Sequence, residues 1–236
     1  MRRRDVKPDA VDMRYNWDWS ILLTAPYAGW ILSGLGWTLL VSAAAWIVGL
    51  GLGSVIGTMR TLPSRFARGV GATYVEIFRN VPLLVQIFLF YFAVLPNIGI
   101  APTPFAAGVF ALGIHYASYC SEVYRAGIES IPRGQWEASV ALNLSAYHTF
   151  RSVILPQSIP PVVPALGNYL VALFKDTPQL AAISVAELML TAKDIGSDTF
   201  RYTEPVTLVG VFFLAMSLVS AGLIRLVEQR LNARYR

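Results

Sequence analysis

The chain has 236 residues, of which 55% are apolar and 14% are charged. Soluble domains carry roughly a quarter charged residues, so this composition excludes an ordinary soluble domain. The formal net charge of +5 does not indicate nucleic-acid binding, because Lys and Arg collect in the loops between apolar runs, as in membrane proteins. With a single cysteine, we expect no internal disulfide, no cysteine metal site and no cofactor.

The apolar runs predict an all-α, polytopic membrane bundle of five transmembrane helices, since each span needs about 20 mostly apolar residues. Residues 1–29 are predicted to form an extracytoplasmic N-terminal segment, residues 30–228 the transmembrane domain and residues 229–236 a cytoplasmic tail. The five predicted spans are Leu32–Thr58, Tyr74–Leu95, Phe105–Ser121, Ser152–Phe174 and Pro205–Leu226.

The distribution of Lys and Arg predicts the orientation. The loops after the first and third spans and the C-terminal tail are rich in Arg, whereas the loop between the second and third spans carries no charge. We therefore expect the N-terminus outside and the C-terminus in the cytoplasm. Arg2, Arg3, Arg4 and Lys7 oppose this orientation, but they lie far from the first span, and translation that begins at Met13 would remove them.

Two patterns within the spans leave alternatives open. Gly49, Gly53 and Gly57 form a small-residue stripe that lets a helix approach closely, either on a partner or within this chain. Prolines crowd the start of the fourth span and predict a kink or irregular backbone. Such backbone either lines a path through the membrane or is a simple structural bend.

The loop between the third and fourth spans carries the most informative motif. A turn at 132–134 is followed by a short predicted helix, Gln135 to Leu142, and Ser145 is placed to cap the next helix. Glu137-Ala138-Ser139, Asn143, Val153 and Leu155-Pro156 then resemble, with matching spacing, the loop signature of the permeases of ATP-binding-cassette importers. Ser139 replaces Ala, Asn143 replaces Gly and Val153 replaces Ile; Asn tolerates the left-handed backbone that Gly would supply.

Further segments resemble the polar amino acid branch of that family, which includes histidine, glutamate/aspartate and ectoine permeases. They are Phe78 to Gln86, Glu122 to Ile128, Ile131 to Gln135, Leu155 to Gln157 and Lys175 to Thr177.

The resemblance implies a transport subunit that is not itself an enzyme, in a bacterial inner membrane. Its implied partners are a cytoplasmic dimer of ATPases, a second permease (a copy or a sister chain), an extracytoplasmic solute-binding protein and the lipid bilayer. The residues implied to couple the permease to the ATPase are Arg133, Gly134, Gln135, Glu137, Ala138, Ser139 and Asn143.

Polar residues near membrane depth are candidates for the substrate path. Glu76–Arg79 and Glu122–Arg125 are each spaced to pair on one helix face, and we favour that structural pairing. Lys175, Asp176 and Thr177 follow the fourth span at its expected outer end, where they would meet a zwitterion or anchor the helix. The candidates are Arg79, Gln86, Glu122, Lys175, Asp176, Thr177 and Glu187.

The sequence also bears on the identity of the solute and on two alternative functions. The N-terminal half resembles glutamate/aspartate permeases and the later half ectoine permeases, so the expected solute is an amino acid, with ectoine or hydroxyectoine as the alternative. An enzyme is disfavoured because the sequence has no phosphate-binding loop and no nucleophile elbow, and His115 and His148 are isolated. A stand-alone secondary transporter is disfavoured because no inverted repeat is visible.

Overall fold

The computed structural model describes residues 15–234, and all regular structure within them is helical. The basic residues at positions 2–7 and the alternative start at Met13 lie outside that range. The helices are α1 (Ser20–Leu23), α2 (Tyr27–Thr61), α3 (Arg65–Asn80), α4 (Leu83–Phe88), α5 (Leu95–Asn97), α6 (Pro104–Glu129), α7 (Arg133–Ala141), α8 (Ala146–His148), α9 (Leu155–Asp176), α10 (Leu188–Thr199) and α11 (Thr203–Arg234).

Two π-helical segments and one 3-10 helix join these elements. The π-helical segments are Leu89–Val94, between α4 and α5, and Thr149–Ile154, between α8 and α9. Each ends two residues before a proline, Pro96 or Pro156. A proline ring displaces the carbonyl four residues earlier, and a wider turn relieves that crowding. The irregular start predicted for the fourth span is therefore a π-helical turn. The 3-10 helix Thr177–Ile183 follows α9.

By length and hydropathy, α2 and α11 can each cross a membrane among the described residues. A third candidate is the pair of helices Arg65–Asn80 and Leu83–Asn97, which meet at an angle of 105°. The expected second span, Tyr74 to Leu95, is therefore broken at Val81-Pro82. A residue before proline avoids the helical region, and Val81 is extended, with ψ of 129°.

The glycine stripe packs α2 against α6 within this chain. A Cβ atom on Gly53 would lie 2.6 Å from the Cβ of Cys120, and one on Gly57 would lie 2.9 Å from the carbonyl oxygen of Ser121. Only the absence of side chains allows the two helices to approach this closely. Of the two alternatives for this stripe, the structure supports packing within the chain.

The core lies between α2, α4, α6 and the end of α9. Its centre is formed by residues that are essentially inaccessible to solvent: Val41, Ile87, Ala111, Leu112, Leu173 and Leu180. A second cluster joins α1, α2, α10 and α11 through Leu22, Ile31, Leu188, Ile195 and Val209. The face of α11 that carries Val211, Leu214 and Leu218 is exposed, in keeping with lipid or another subunit as its neighbour.

Candidate functional site: a cleft at the ends of broken helices

A cleft of about 450 Å³ opens where α3 and α4 meet beside α6 and the end of α9. Its walls combine charged, amide and aromatic side chains with the Val81-Pro82 break. The polar lining residues are Arg79, Asn80, His115, Tyr119, Asp176 and Gln179. Irregular backbone and helix ends at membrane depth are tolerated where they line a cavity, so this is the kind of place at which transporters bind their solutes.

One hydrogen bond locates the cleft beside the middle of α6. The hydroxyl of Tyr116 donates to Asp176 Oδ2 across 2.6 Å, and Tyr116 lies half-way along the 26-residue α6. Helix α9 therefore ends opposite the middle of α6. Lys175 and Asp176 end α9 and Thr177 follows it, and the 3-10 helix and α10 then continue the chain. Their expected place at the outer end of a span stays a prediction.

Arg79 and Asp176 are the two predicted path residues that line the cleft. The guanidinium of Arg79 lies 5.0 Å from the centre of the Tyr119 ring and 3.9 Å from Glu122 Oε1, and its side chain is 41% exposed. At that separation Glu122 does not saturate the five donors of the guanidinium. The predicted Glu76–Arg79 pair is not formed, since Glu76 instead accepts a hydrogen bond from the Asn80 amide across 2.9 Å.

Glu122 lies beside the cleft and joins three helices. Its carboxylate accepts from Arg60 of α2 across 2.6 Å and from Arg125 across 2.7 Å, which confirms the predicted Glu122–Arg125 pair. Arg79 of α3 approaches the same carboxylate. Because two close ion pairs already engage its oxygens, Glu122 is better placed to hold α2, α3 and α6 together than to meet a solute.

Gln86 lies behind the cleft wall and ties α4 to the end of α3. Its Nε2 lies 2.9 Å from the carbonyl oxygen of Phe78, 2.8 Å from that of Val81 and 3.0 Å from Nδ1 of His115. The side chain is buried, and Oε1 has no partner among the described residues. The amide therefore stabilises the break between the two helices.

The remaining path candidates lie elsewhere. Lys175 is exposed and is not part of the cleft wall. Thr177 is buried, and its hydroxyl donates to the carbonyl of Phe174 across 2.8 Å. Glu187 is fully buried and caps α10, where it accepts from the backbone N–H groups of Met189 and Leu190, each across 2.8 Å. Thr177 and Glu187 are thus occupied by local structure.

The sequence-based prediction missed His115, Tyr119, Asn80 and Gln179. A signal for two of them was present, because His115, Tyr119 and Glu122 recur at helical spacing and form a polar stripe along α6. Asn80 precedes Val81-Pro82, which marks a helix end. Gln179 lies only three residues after Asp176, to which its amide donates across 3.2 Å, so its contact with this predicted residue is local.

The loop between α6 and α9 presents α7 as an exposed helix. Arg133, Gly134, Gln135, Glu137 and Ala138 are all exposed on it. Val140 and Leu142 are each 74% exposed, so the helix and its end offer apolar side chains to a partner.

Local hydrogen bonds fix the ends of this loop. Ser139 is buried, and its hydroxyl donates to the carbonyl of Gln135 across 2.8 Å. Asn143 has a φ of 55°, which confirms the left-handed turn expected of it. The predicted cap is also confirmed, since Ser145 Oγ accepts from the backbone N–H of His148.

Residues 49–233 match a family model, that of the inner membrane component of binding-protein-dependent transport systems. The chain belongs to this family. A probable amino-acid ABC transporter permease protein of Sinorhizobium fredii is 42% identical over 204 residues, with 86% of this chain and 88% of the relative covered. The glutamate/aspartate import permease of Escherichia coli is 31% identical, with 93% and 97% covered.

A solved structure described as an amino acid ABC transporter with histidines has the same fold. It is 33% identical and superimposes with a TM-score of 0.84, and the match covers 92% of this chain and 100% of that one. The fold, the family and the broken helices thus agree on a membrane-embedded permease.

Proposed function

We propose that the chain is the transmembrane subunit of an ATP-driven uptake system for amino acids of the glutamate/aspartate type. The observation that carries the proposal is the cleft at the middle of α6, where Arg79 and Asp176 offer opposite charges to one solute. The guanidinium of Arg79 complements the α-carboxylate of an amino acid, and the carboxylate of Asp176 complements its ammonium group. The named relatives support amino acids over ectoine.

The proposed uptake system requires other protein subunits. The exposed face of α7, with Arg133, Gly134, Gln135, Glu137 and Ala138, docks in a cleft of one subunit of the ATPase dimer, while Ser139 and Asn143 fix its C-terminal end. A second permease, a copy or a sister chain, closes the path from the other side, and an extracytoplasmic binding protein delivers the solute. This arrangement requires the N-terminus outside and the loop and tail in the cytoplasm.

The five-span topology belongs to this proposal. The spans are α2, the broken pair at 65–97, α6, α9 with the segment that follows it, and α11. Residues 1–29 lie outside, residues 30–228 form the transmembrane domain and residues 229–236 form the tail. Cysteines placed one at a time in loops of a Cys120→Ser chain, then labelled from outside, test this topology. Labelling from outside near residue 135 would contradict it.

The test of function is uptake of labelled glutamate and labelled ectoine by cells that lack this gene, compared with the parent strain. Loss of glutamate uptake supports the proposal, and restoration by the intact gene is the control. Loss of ectoine uptake alone makes the protein a compatible-solute permease. Solute transport by the purified chain in vesicles without any ATPase would instead favour a stand-alone secondary transporter.

A further inference from the structure

Phe200 ends helix α10 in a backbone conformation that suits few side chains. Its φ is 56° and its ψ is 23°, in the left-handed region. A residue just after a helix often adopts this conformation, but it is usually Gly or Asn, because a larger side chain crowds the backbone there. The ring is nevertheless 89% exposed, so contacts within residues 15–234 do little to offset the strain. A bulky residue that is both strained and uncovered indicates a neighbour outside the chain.

The residues that follow Phe200 are held by the fold, so its ring is presented outward from a fixed segment. Arg201 forms an ion pair with Glu204 across 2.6 Å. The ring of Tyr202 packs so closely against Gly196 that a Cβ atom at this glycine would overlap it. The exposure of Phe200 is therefore a property of an ordered helix end.

The contacts of this helix end place Phe200 close to a membrane surface. Helices α2 and α11, which are long and apolar enough to cross a membrane, begin at Tyr27 and Thr203. The hydroxyl of Tyr27 donates to Asp198 Oδ2 across 2.6 Å, so the end of α10 lies beside the start of α2. Phe200 also directly precedes the start of α11 in sequence. It thus lies near the level at which both helices enter the hydrocarbon layer.

Other exposed aromatic residues lie at the same end of the molecule, and with Phe200 they form a surface that we call the aromatic rim: Trp17, Trp19, Phe200 and Tyr202. The rings of Trp17 and Trp19 stack 5.3 Å apart with their planes 4° from parallel. Asp18, between them, donates its backbone N–H to Glu204 across 2.9 Å, which brings this pair to the start of α11. The rim therefore joins two distant parts of the sequence.

We propose that the aromatic rim is a lipid-anchoring surface, in which the ring of Phe200 lies between the headgroups and the acyl chains of the leaflet where α2 and α11 begin. Trp and Tyr concentrate at this boundary because their rings are apolar and their N–H or O–H groups reach water. Burial of the Phe200 ring in lipid would offset the strain of its backbone. The inference goes beyond the proposed function and does not depend on the identity of the solute.

Two further observations favour lipid over a protein as the occupant. The rim continues into the exposed apolar surface of α11, since Val206, one turn after Tyr202, is exposed, as is Leu214 beyond it. Arg201, beside the rim, is already paired with Glu204, so its charge is not left to attract an acidic protein surface.

Photo-crosslinking identifies the occupant directly. The amino acid p-benzoylphenylalanine in place of Phe200 keeps an aromatic ring at this position and reacts with whatever covers it. The complete uptake system is irradiated in cell membranes, and the peptide that contains position 200 is analysed by mass spectrometry. We expect adducts with phospholipid acyl chains. Cross-links to a protein, whether a solute-binding protein or a second permease, would overturn the assignment to lipid, as would a peptide that irradiation leaves unchanged.

A second measurement distinguishes lipid, water and protein without photochemistry. In a Cys120→Ser chain, a spin label on Phe200→Cys reports collisions with oxygen, which concentrates in the bilayer, and with a water-soluble nickel chelate. The matched control is Asp194→Cys, because Asp194 lies on the same helix and lines a polar pocket with Ser197 and Asp198. Both labelled chains are studied as the complex of permease and ATPase in phosphatidylcholine nanodiscs.

We expect the label at position 200 to collide several-fold more often with oxygen than the label at position 194, and less often with the nickel chelate. Frequent collisions with nickel at position 200 would show that the ring faces water. Few collisions with either reagent would show that a protein covers it. Each of these two results would overturn the proposal, and neither would affect the function proposed above.

Discussion

Tyr15 at the start of the described chain donates a hydrogen bond to Glu204 at the start of the last helix, across 2.5 Å and 189 positions of sequence. The same carboxylate accepts from the backbone N–H of Asp18 at 2.9 Å and from Arg201 at 2.6 Å, and Arg201 also binds the carbonyl of Asn16. Glu204 is 1% exposed. This group, which we call the N-terminal clip, fastens residues 15–18 to the beginning of α11.

Glu204→Gln should release the N-terminal clip, because the amide cannot accept from all three donors and leaves Arg201 without its ion pair. We expect protease cleavage within residues 15–23 to become at least several-fold faster, while the rest of the chain stays resistant. Limited proteolysis in nanodiscs, followed by mass spectrometry, measures this rate. Glu228→Gln, at an exposed position of the same helix, is the control. Equal protection in both variants would contradict the prediction.

Asp176→Asn should lower amino acid uptake about tenfold or more, because the neutral amide would lose the ion pair proposed between Asp176 and the solute ammonium. The matched control is Lys175→Gln, which removes the neighbouring charge outside the cleft and should transport normally. Tyr116→Phe keeps the carboxylate and removes one hydrogen bond, a loss of about 0.5–1.5 kcal/mol in stability. Uptake in proteoliposomes and recovery of the ATPase complex are measured together. Failure of Asp176→Asn to assemble would make Asp176 structural.

Gly53→Ala should destabilise the chain although alanine favours helix, because the added Cβ would lie 2.6 Å from Cys120 and 3.0 Å from the carbonyl of Ala117. Overpacking of this kind costs about 1–3 kcal/mol. Gly51→Ala, two residues away and facing open space, should be neutral or slightly stabilising. Thermal unfolding of the detergent-solubilised complex compares the two. A lower midpoint in Gly51→Ala than in Gly53→Ala would show that the α2–α6 contact does not limit stability.

Glu122→Gln should destabilise the junction of α2, α3 and α6, since Arg60, with 14% of its side chain exposed, would lose its charged partner. We expect a loss of about 1–3 kcal/mol. Glu129→Gln removes a partner of Arg125 that is itself 53% exposed, and should cost less than about 1 kcal/mol. The difference between their unfolding midpoints is the readout. A larger loss in Glu129→Gln would contradict the role of Glu122.

Glu137→Lys should abolish solute-dependent ATP hydrolysis and uptake while leaving the chain in the membrane, because in the proposed complex the reversed charge would face the docking cleft of the ATPase. Glu228→Lys reverses an exposed charge on another helix and serves as the control for insertion and expression. Uptake and membrane abundance are measured on the same cells. Uptake at the unaltered rate in Glu137→Lys would remove this residue from the coupling surface.

Apolar runs and loop motifs were sufficient to predict the long helices, the exposed helix α7, the turn at Asn143 and the cap at Ser145, because each depends on residues within one or two turns of helix. The cleft was predicted only in part. Arg79 and Asp176 stand out as charges at helix ends, whereas His115 is held by a contact with Gln86, 29 positions earlier. The buried states of Glu187 and Glu204 were also missed, since charges beside helix starts are ordinarily solvated.

The N-terminal clip also orders events during synthesis. The chain leaves the ribosome from its N-terminus, so Tyr15 emerges 189 positions before Glu204. At ordinary rates of translation the first segment waits roughly 10–40 s for its acceptor. Its docking is consequently among the last steps of maturation, and a nascent chain interrupted before residue 204 cannot perform it. The N-terminal clip can therefore form only in a complete chain, although one half of it belongs to the segment that is synthesised first.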